Sequence, residues 1–195
     1  MRKLTYYVAC SLDGFIADPD GDATAMLTYL DEEFLRYLCT EGADALPTAA
    51  RRAFGIDERP LDRFDTVIQG RGSYDVGLKE GVTSPYAHLR QYVASRTLGE
   101  SPDPDVEIIA GELADRVRQL KAEDGGLGIY LCGGSQVAGE LIDEIDELVL
   151  KTYPLVYGAG MPMFGGADAG LARFALDGTR GFGNGVLVRT YSRKR

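Results

Sequence analysis

Three short stretches carry residues whose types could do chemistry together. The first, "IYLCGGSQVAGELI" at residues 129–142, runs from an apolar strand into Gly133 and Gly134, after which Ser135 opens a helical pattern. The mouth of a helix gathers unpaired N–H groups and a partial positive charge, and glycines remove the side chains that would keep an anion away from them. These residues would equally make a plain tight turn with Ser135 as its N-cap. The second stretch, "VIQGRGSYDVG" at residues 67–77, repeats the arrangement with Gly70, Arg71, Gly72 and Ser73, adding a guanidinium and a serine placed to cap a following helix. An arginine in a solvated turn reads the same way. In the third, "YVASRT" at residues 92–97, Ser95 and Arg96 lie just past another strand end.

Ligands of open α/β sheets lie outside the carboxyl ends of the strands. Gly-Gly-Ser, Gly-Arg-Gly-Ser and Ser-Arg at three such ends suit a dinucleotide with an extra phosphate, and arginines near an adenosine ribose favour NADPH over NADH. A Rossmann G-x-G-x-x-G is missing. The first strand ends Ala9-Cys10-Ser11-Leu12-Asp13-Gly14, and "GRGSYD" and "GAGMPM" both lack the third glycine.

The elements that must position these residues follow from periodicity. Strands are expected at 4–9, 64–70, 91–95, 106–110, 128–132 and 147–153, with helices at 111–121 and 135–145. Thr28 stands where an N-cap would, three residues before Asp31, with Leu30, Phe34, Tyr37 and Leu38 at helical spacing behind it. Residues 40–63 read as a long connection. Two closing strands, near 173–176 and 186–191, are joined by the turn material "GNG". Strands alternating with helices imply an α/β sheet, mostly parallel in its middle and antiparallel at its C-terminal edge.

Composition removes several functions. A chain of 195 residues, 45% hydrophobic, is expected to form one domain over 1–195. Its net charge of -9 works against nucleic acid, so an anionic ligand must be met by local groups. No segment reaches the roughly 20 apolar residues of a membrane helix, and a soluble, cytoplasmic protein is expected. Cys10, Cys39 and Cys132 are odd in number and form no CxxC, and His88 is the single histidine, so neither a disulfide framework nor a metal site is expected.

Taken in order, "YYVACSLDGFIADPDG", "FDTVIQGRGSYDVG", "IYLCGGSQVAGELI" and "YPLVYGAGMPMFGG" resemble the dihydrofolate reductase-like superfamily. The resemblance is to the C-terminal reductase domain of the bifunctional riboflavin-biosynthesis deaminase-reductase and its free-standing bacterial relatives. It implies a three-layer α/β fold with a central sheet of about eight strands, NADPH bound in an extended pose, a pyrimidine- or pterin-like substrate and a homodimer. Carried over by residue, Gly133 and Gly134 lie under the pyrophosphate, with Ser135, Gln136 and Val137 beside it. Gly70, Arg71, Gly72 and Ser73 form the adenosine-phosphate loop, and Ser95 and Arg96 flank the adenine ribose. Ala9, Ile16 and Ala17 line the nicotinamide, and Asp13 sits in the "SLDG" turn beside it.

Two departures narrow the resemblance. The chain has no tryptophan, which folate reductases place beside the nicotinamide. It also has neither the H-x-E nor the P-C-x-x-C of a deaminase, so it would be a lone reductase. Asp31 is the first choice for a substrate carboxylate, against the ordinary preference of a first helical turn for acids. Asp13 is the second, against ordinary Asp-Gly turn chemistry. Arg51, Arg52 and Arg59 could reach a ribose phosphate, or simply face solvent. The alternatives to a riboflavin-type reductase are a true dihydrofolate reductase and a non-catalytic, nucleotide-binding dimeric module.

Overall fold

Valine, isoleucine, leucine and tyrosine alternate through the strand segments, so each strand can bury both of its faces once helices cover the sheet. A computed structural model describes residues 1–166 and 171–194. Its strands are β1 Leu4–Cys10, β2 Phe15–Ala17, β3 Phe64–Gly70, β4 Arg90–Ala94, β5 Val106–Ile109, β6 Gly128–Gly133, β7 Glu147–Thr152, β8 Met161–Pro162, β9 Phe174–Gly181 and β10 Leu187–Arg193. The helices are α1 Glu32–Thr40, α2 Thr48–Ala53, α3 Arg71–Lys79, α4 Leu113–Ala122 and α5 Ser135–Glu140.

Eight strands form one sheet in the order β5-β4-β3-β6-β1-β7-β10-β9. The first six run parallel, while β10 is antiparallel to β7 and β9 antiparallel to β10. The expected α/β class and antiparallel C-terminal edge are therefore observed. Leu4, Tyr6 and Val8 point to one face and pack with Leu113, Val117 and Leu120 of α4, with Val137 and Ala138 of α5 and with Leu141 just after it. Tyr7 points to the other face, where Phe34, Tyr37 and Leu38 of α1 cover it. Each fully buried aliphatic side chain contributes about 1.5–3 kcal/mol, and this two-sided core is what holds the strand tips in register.

Local chemistry moved several expected boundaries. The first helix starts at Glu32 and not after Thr28, because Asp31 is its N-cap, accepting the Phe34 N–H at 2.8 Å. Residues 24–29 form a 3₁₀ turn before it. The 40–63 connection contains α2 and is pinned from within. The buried Asp44 carboxylate accepts the N–H groups of Asp62, Arg63 and Phe64 at 3.0, 2.6 and 3.0 Å. Buried Arg51 donates to the carbonyls of Ala43 and Arg59 at 2.9 and 2.7 Å. Arg51 thus holds a loop together and is not free to reach a ligand. A second, two-stranded sheet pairs β2 with β8, which periodicity did not predict.

Candidate active site

The strand order places the three chemistry-bearing tips side by side. Gly70, last in β3, is paired with Ala94, last in β4, and Gln69 is paired with Gly133, last in β6. Adjacent strands lie about 4.8 Å apart, so Arg96, Arg71 and the glycine pair share one edge. Gly70 and the Gly133-Gly134 bend also touch. A Cβ on Gly70 would lie 3.2 Å from the Gly134 nitrogen and 3.0 Å from Val137 Cγ2. Gly133 has φ +129°, a conformation that favours glycine, and the peptide that follows it is cis. Gly134 differs in having φ -84°, and a Cβ there, as at Gly133, would meet nothing nearer than Ser73 Oγ, at 3.9 Å.

Two helices open at these tips, and neither has a side-chain cap. Gly70 is the N-cap of α3 and Gly134 the N-cap of α5. Ser73 is inside the first turn of α3, so the expectation that it caps the helix is corrected; Gly70 already occupies that place. Ser135 likewise is not the N-cap of α5. It is the first helical residue, and its buried Oγ has no hydrogen-bond partner. The first α5 bond is donated by Ala138 to the Gly134 carbonyl at 3.0 Å, which leaves the amides of Ser135, Gln136 and Val137 outside the helical ladder. Gly165 packs over this start, its N–H donating to the Ser135 carbonyl at 3.0 Å.

The two arginines flank this opening and are held by carboxylates of the same helices. Arg71 Nε donates to Asp75 Oδ1 on α3 at 2.5 Å, and Arg96 Nη2 to Glu140 Oε2 on α5 at 3.4 Å. Both guanidinium groups are accessible, Arg96 most of all at 78% side-chain exposure. Such exposed pairs contribute only about 0–1 kcal/mol, so a phosphate can displace them at small cost. Ser95 has a different job: its buried Oγ accepts the N–H groups of Thr97 and Leu98 at 3.3 and 3.0 Å and shapes the turn that carries Arg96.

Ala9 lies one residue before the end of β1, beside the small sheet in which β2 carries Ile16 and Ala17. Asp13 ties that segment down. Its Oδ1 accepts the Ser11 hydroxyl at 2.6 Å, and its carboxylate accepts the N–H groups of Gly158 and Tyr157 at 2.7 and 3.3 Å. The Ser11 bond, then these amides, hold its carboxyl below the usual carboxylate range. The Asp31 carboxylate is engaged at the start of α1, where it accepts the Phe34 N–H.

Sequence reading missed the groups on the α1 face of the same edge. Lys151 of β7 is paired with Ala9, and its Nζ lies 4.4 Å from the centre of the Tyr7 ring. Desolvation pulls its pKa down to about 8. Cys132, just before the glycine pair, is 3.3 Å from Tyr86 Oη, and the buried Gln69 amide nitrogen has no partner. A lysine at an inward position of an alternating strand was the available signal for the first. Among the described residues no cluster of metal-binding side chains occurs and no helix is long and apolar enough to cross a membrane.

Similar proteins share this architecture. An uncharacterized protein of Bacillus subtilis, YwjB, is 29% identical over 189 residues, 96% of each chain. A Shewanella sp. PV-4 protein whose name assigns it to riboflavin biosynthesis is 26% identical, with full coverage of both chains and a TM-score of 0.72. The Thermotoga maritima diaminohydroxyphosphoribosylaminopyrimidine deaminase/5-amino-6-(5-phosphoribosylamino)uracil reductase has the same fold at 16% identity and TM-score 0.62; the match covers 99% of this chain and 57% of that one. Enterococcus faecalis dihydrofolate reductase, complexed with NADP(H), has it too, at 14% identity, TM-score 0.61 and coverages of 99% and 97%. The profile of the RibD C-terminal domain matches residues 2–188, nearly the whole length, and the chain therefore belongs to that family.

Proposed function

We propose that this protein is an NADPH-dependent reductase that transfers a hydride to a pyrimidine- or pterin-like heterocycle, of the 5-amino-6-(5-phosphoribosylamino)uracil reductase type. The observation that carries the reading is the pair of glycine-capped, side-chain-free helix starts on neighbouring strand tips, flanked by two accessible arginines in a chain of net charge -9. A pyrophosphate fits where Gly134 leaves space and where the Ser135, Gln136 and Val137 amides and the unpartnered Ser135 hydroxyl can donate. Arg71 and Arg96 suit the additional phosphate of NADPH. Bound in this way, the cofactor supplies the hydride.

The chain's own part is positioning. Asp13 fixes the turn that leads into Ile16 and Ala17, and Ala9 leaves room for a flat ring at the end of β1. The reading includes a single domain acting in the cytoplasm as a homodimer. The exposed outer strand β9, with Leu176 and Leu187 open on the β9-β10 edge, supports a pairing surface there.

The test is a thermal shift followed by turnover. NADPH should raise Tm more than NADH does. NADPH absorbance should then fall with the aminopyrimidine ribosyl phosphate and hold steady with dihydrofolate. Equal shifts with the two cofactors would remove the phosphate argument, and turnover of dihydrofolate alone would replace the 5-amino-6-(5-phosphoribosylamino)uracil reductase type with a folate-reducing one.

A further inference from the structure

We infer that Lys151 is a substrate-contacting, specificity-setting residue whose ammonium group donates a hydrogen bond to an electronegative edge, a carbonyl oxygen or an anionic ring nitrogen, of the planar heterocycle lying against Ala9. The inference rests on the reductase reading and names a contact that the sequence did not reveal.

Strand geometry comes first. Side chains of paired residues in neighbouring strands share a face. Lys151 is paired with Ala9 of β1 on one side and Val188 of β10 on the other. Val149 of β7 belongs to the α1-side core, whereas Leu148 and Leu150 belong to the opposite one, so Lys151 points to the α1 side. Cys132 of β6 packs on that same side. Near the C-terminal edge Lys151 and Ala9 are therefore neighbours on the α1 side, with Tyr7 under the amine and Cys132 of β6 on the same face.

Charge comes second. Among the described residues Lys3 and Lys121 have carboxylate partners and Lys79 and Lys194 are exposed, whereas Lys151 is partly buried and has neither a carboxylate nor a hydrogen bond. Its titratable surroundings are Tyr7 and Cys10 on β1, Cys132 on β6 and, through the Tyr7 hydroxyl, Tyr37 on α1. Burial pushes the Tyr7 and Tyr37 phenols and the Cys10 thiol upward, so these stay neutral. The cation that shares the Tyr7 ring is Arg63, 5.9 Å from its centre and 3.6 Å from Glu147, whereas Arg189 of β10 bonds Thr152 on the opposite face. A desolvated cation without an anion weakens the fold, and an acceptor-bearing ligand relieves that strain only when it binds. Met in place of Lys151 would fill the same volume without the cost.

Three measurements test this. Competitive acetylation with acetic anhydride, read by mass spectrometry from pH 6 to 11, should give Lys151 a midpoint near 8, with Lys79 and Lys194 near the ordinary value of about 10.4. The aminopyrimidine ribosyl phosphate should slow acetylation of Lys151 at least fivefold. Lys151→Met should keep the NADPH thermal shift and melt no lower than the unaltered protein, yet raise KM at least tenfold and lose the rise in KM that the unaltered protein shows above pH 8; Lys151→Arg should recover part of the affinity. A lysine-like midpoint, unprotected acetylation, an unchanged KM in Lys151→Met or loss of its NADPH shift would each overturn the inference. An absent NADPH shift in the unaltered protein sinks the reductase reading instead, whereas protection by the aminopyrimidine alone would still uphold the Lys151 contact.

Discussion

The two ends of the sheet are built on opposite principles. At the N-terminal end of the strands, buried charges are answered one by one. Arg2 is bonded to Asp65, Glu123 and Thr66, and Lys121 lies 2.7 Å from Asp146. At the C-terminal end, two helices start on glycine with no side-chain cap, and four of the seven buried side-chain atoms without a hydrogen bond among the described residues occur there: Gln69 Nε2, Ser135 Oγ, Tyr157 Oη and Arg189 Nε. Unmet buried polar groups cost about 1–3 kcal/mol each, so an end that keeps several is an end shaped for something other than its own stability. The N-terminal end closes the fold; the C-terminal end is where we propose that the ligand binds.

The largest effect should come from filling the space at Gly134. A Cβ there would meet only Ser73 Oγ, and its φ of -84° suits any residue, so Gly134→Val should fold and melt close to the unaltered protein. NADPH affinity should fall at least a hundredfold, about 2.7 kcal/mol, in a thermal-shift titration. Gly70→Ala gives the contrast. Its Cβ would press on the Gly134 backbone nitrogen at 3.2 Å, so Tm itself should drop. Unchanged NADPH affinity in Gly134→Val would return the glycine pair to a plain turn.

Next in size is a change at the opposite end. Asp65→Ala takes one carboxylate from Arg2, whose side chain is 4% exposed, and leaves the Leu127 N–H, now 2.7 Å from Asp65 Oδ2, without its partner. Glu123 and Thr66 remain, so the expected loss is about 2 kcal/mol, toward the low side for a broken buried pair. For a chain of this length that is a Tm lower by roughly 4–8 °C. NADPH binding at 25 °C should not change, and a weaker affinity would dissolve the division between the two ends.

Arg96→Ala should do less. The side chain is exposed and its ion pair with Glu140 is long, so Tm should stay put. The preference for NADPH over NADH should shrink by about tenfold, close to one charge-assisted hydrogen bond. Equal loss for both cofactors would show that Arg96 meets something other than the additional phosphate.

The sequence made the frame of this comparison readable and hid its details for identifiable reasons. "FDTVIQG" is a strand from its first residue to its last because the aromatic Phe64 and the β-branched Thr66, Val67 and Ile68 outweigh Asp65 and Gln69 before a glycine ends the run. The glycine pair, Gly70 and the two arginines converge because each follows a strand, and strand ends in a parallel sheet share an edge. The β2-β8 pair escaped notice because three residues facing two, with a register shift, leave no period to detect. Arg51 was misread because a guanidinium satisfied by the carbonyls of Ala43 and Arg59 has the same local sequence as one in solvent. Ser73 and Ser135 resembled caps because serine is the commonest cap, although glycines already held both places.

The smallest effect should be the most local. Asp13 is exposed, yet it joins the turn after β1 to the Tyr157-Gly158 segment through two backbone amides, so it braces the C-terminal end from outside the core. Its folded pKa is depressed, chiefly by the Ser11 hydroxyl. The brace is therefore fully present above the ordinary aspartate value of about 3.9 and is lost as acid carries the folded carboxyl through its lowered pKa. Asp13→Asn keeps the shape but replaces a charged acceptor with a neutral one that the Gly158 and Tyr157 amides hold less tightly. Exchange of the Gly158 amide with deuterium at pH 7 should quicken several-fold, with Tm unchanged and KM shifted by less than about threefold. In the unaltered protein the same quickening should appear only below pH 4, after correction for intrinsic exchange. Exchange at Gly158 that ignores both the substitution and the acid would mean that the turn is held by the β2-β8 pairing alone.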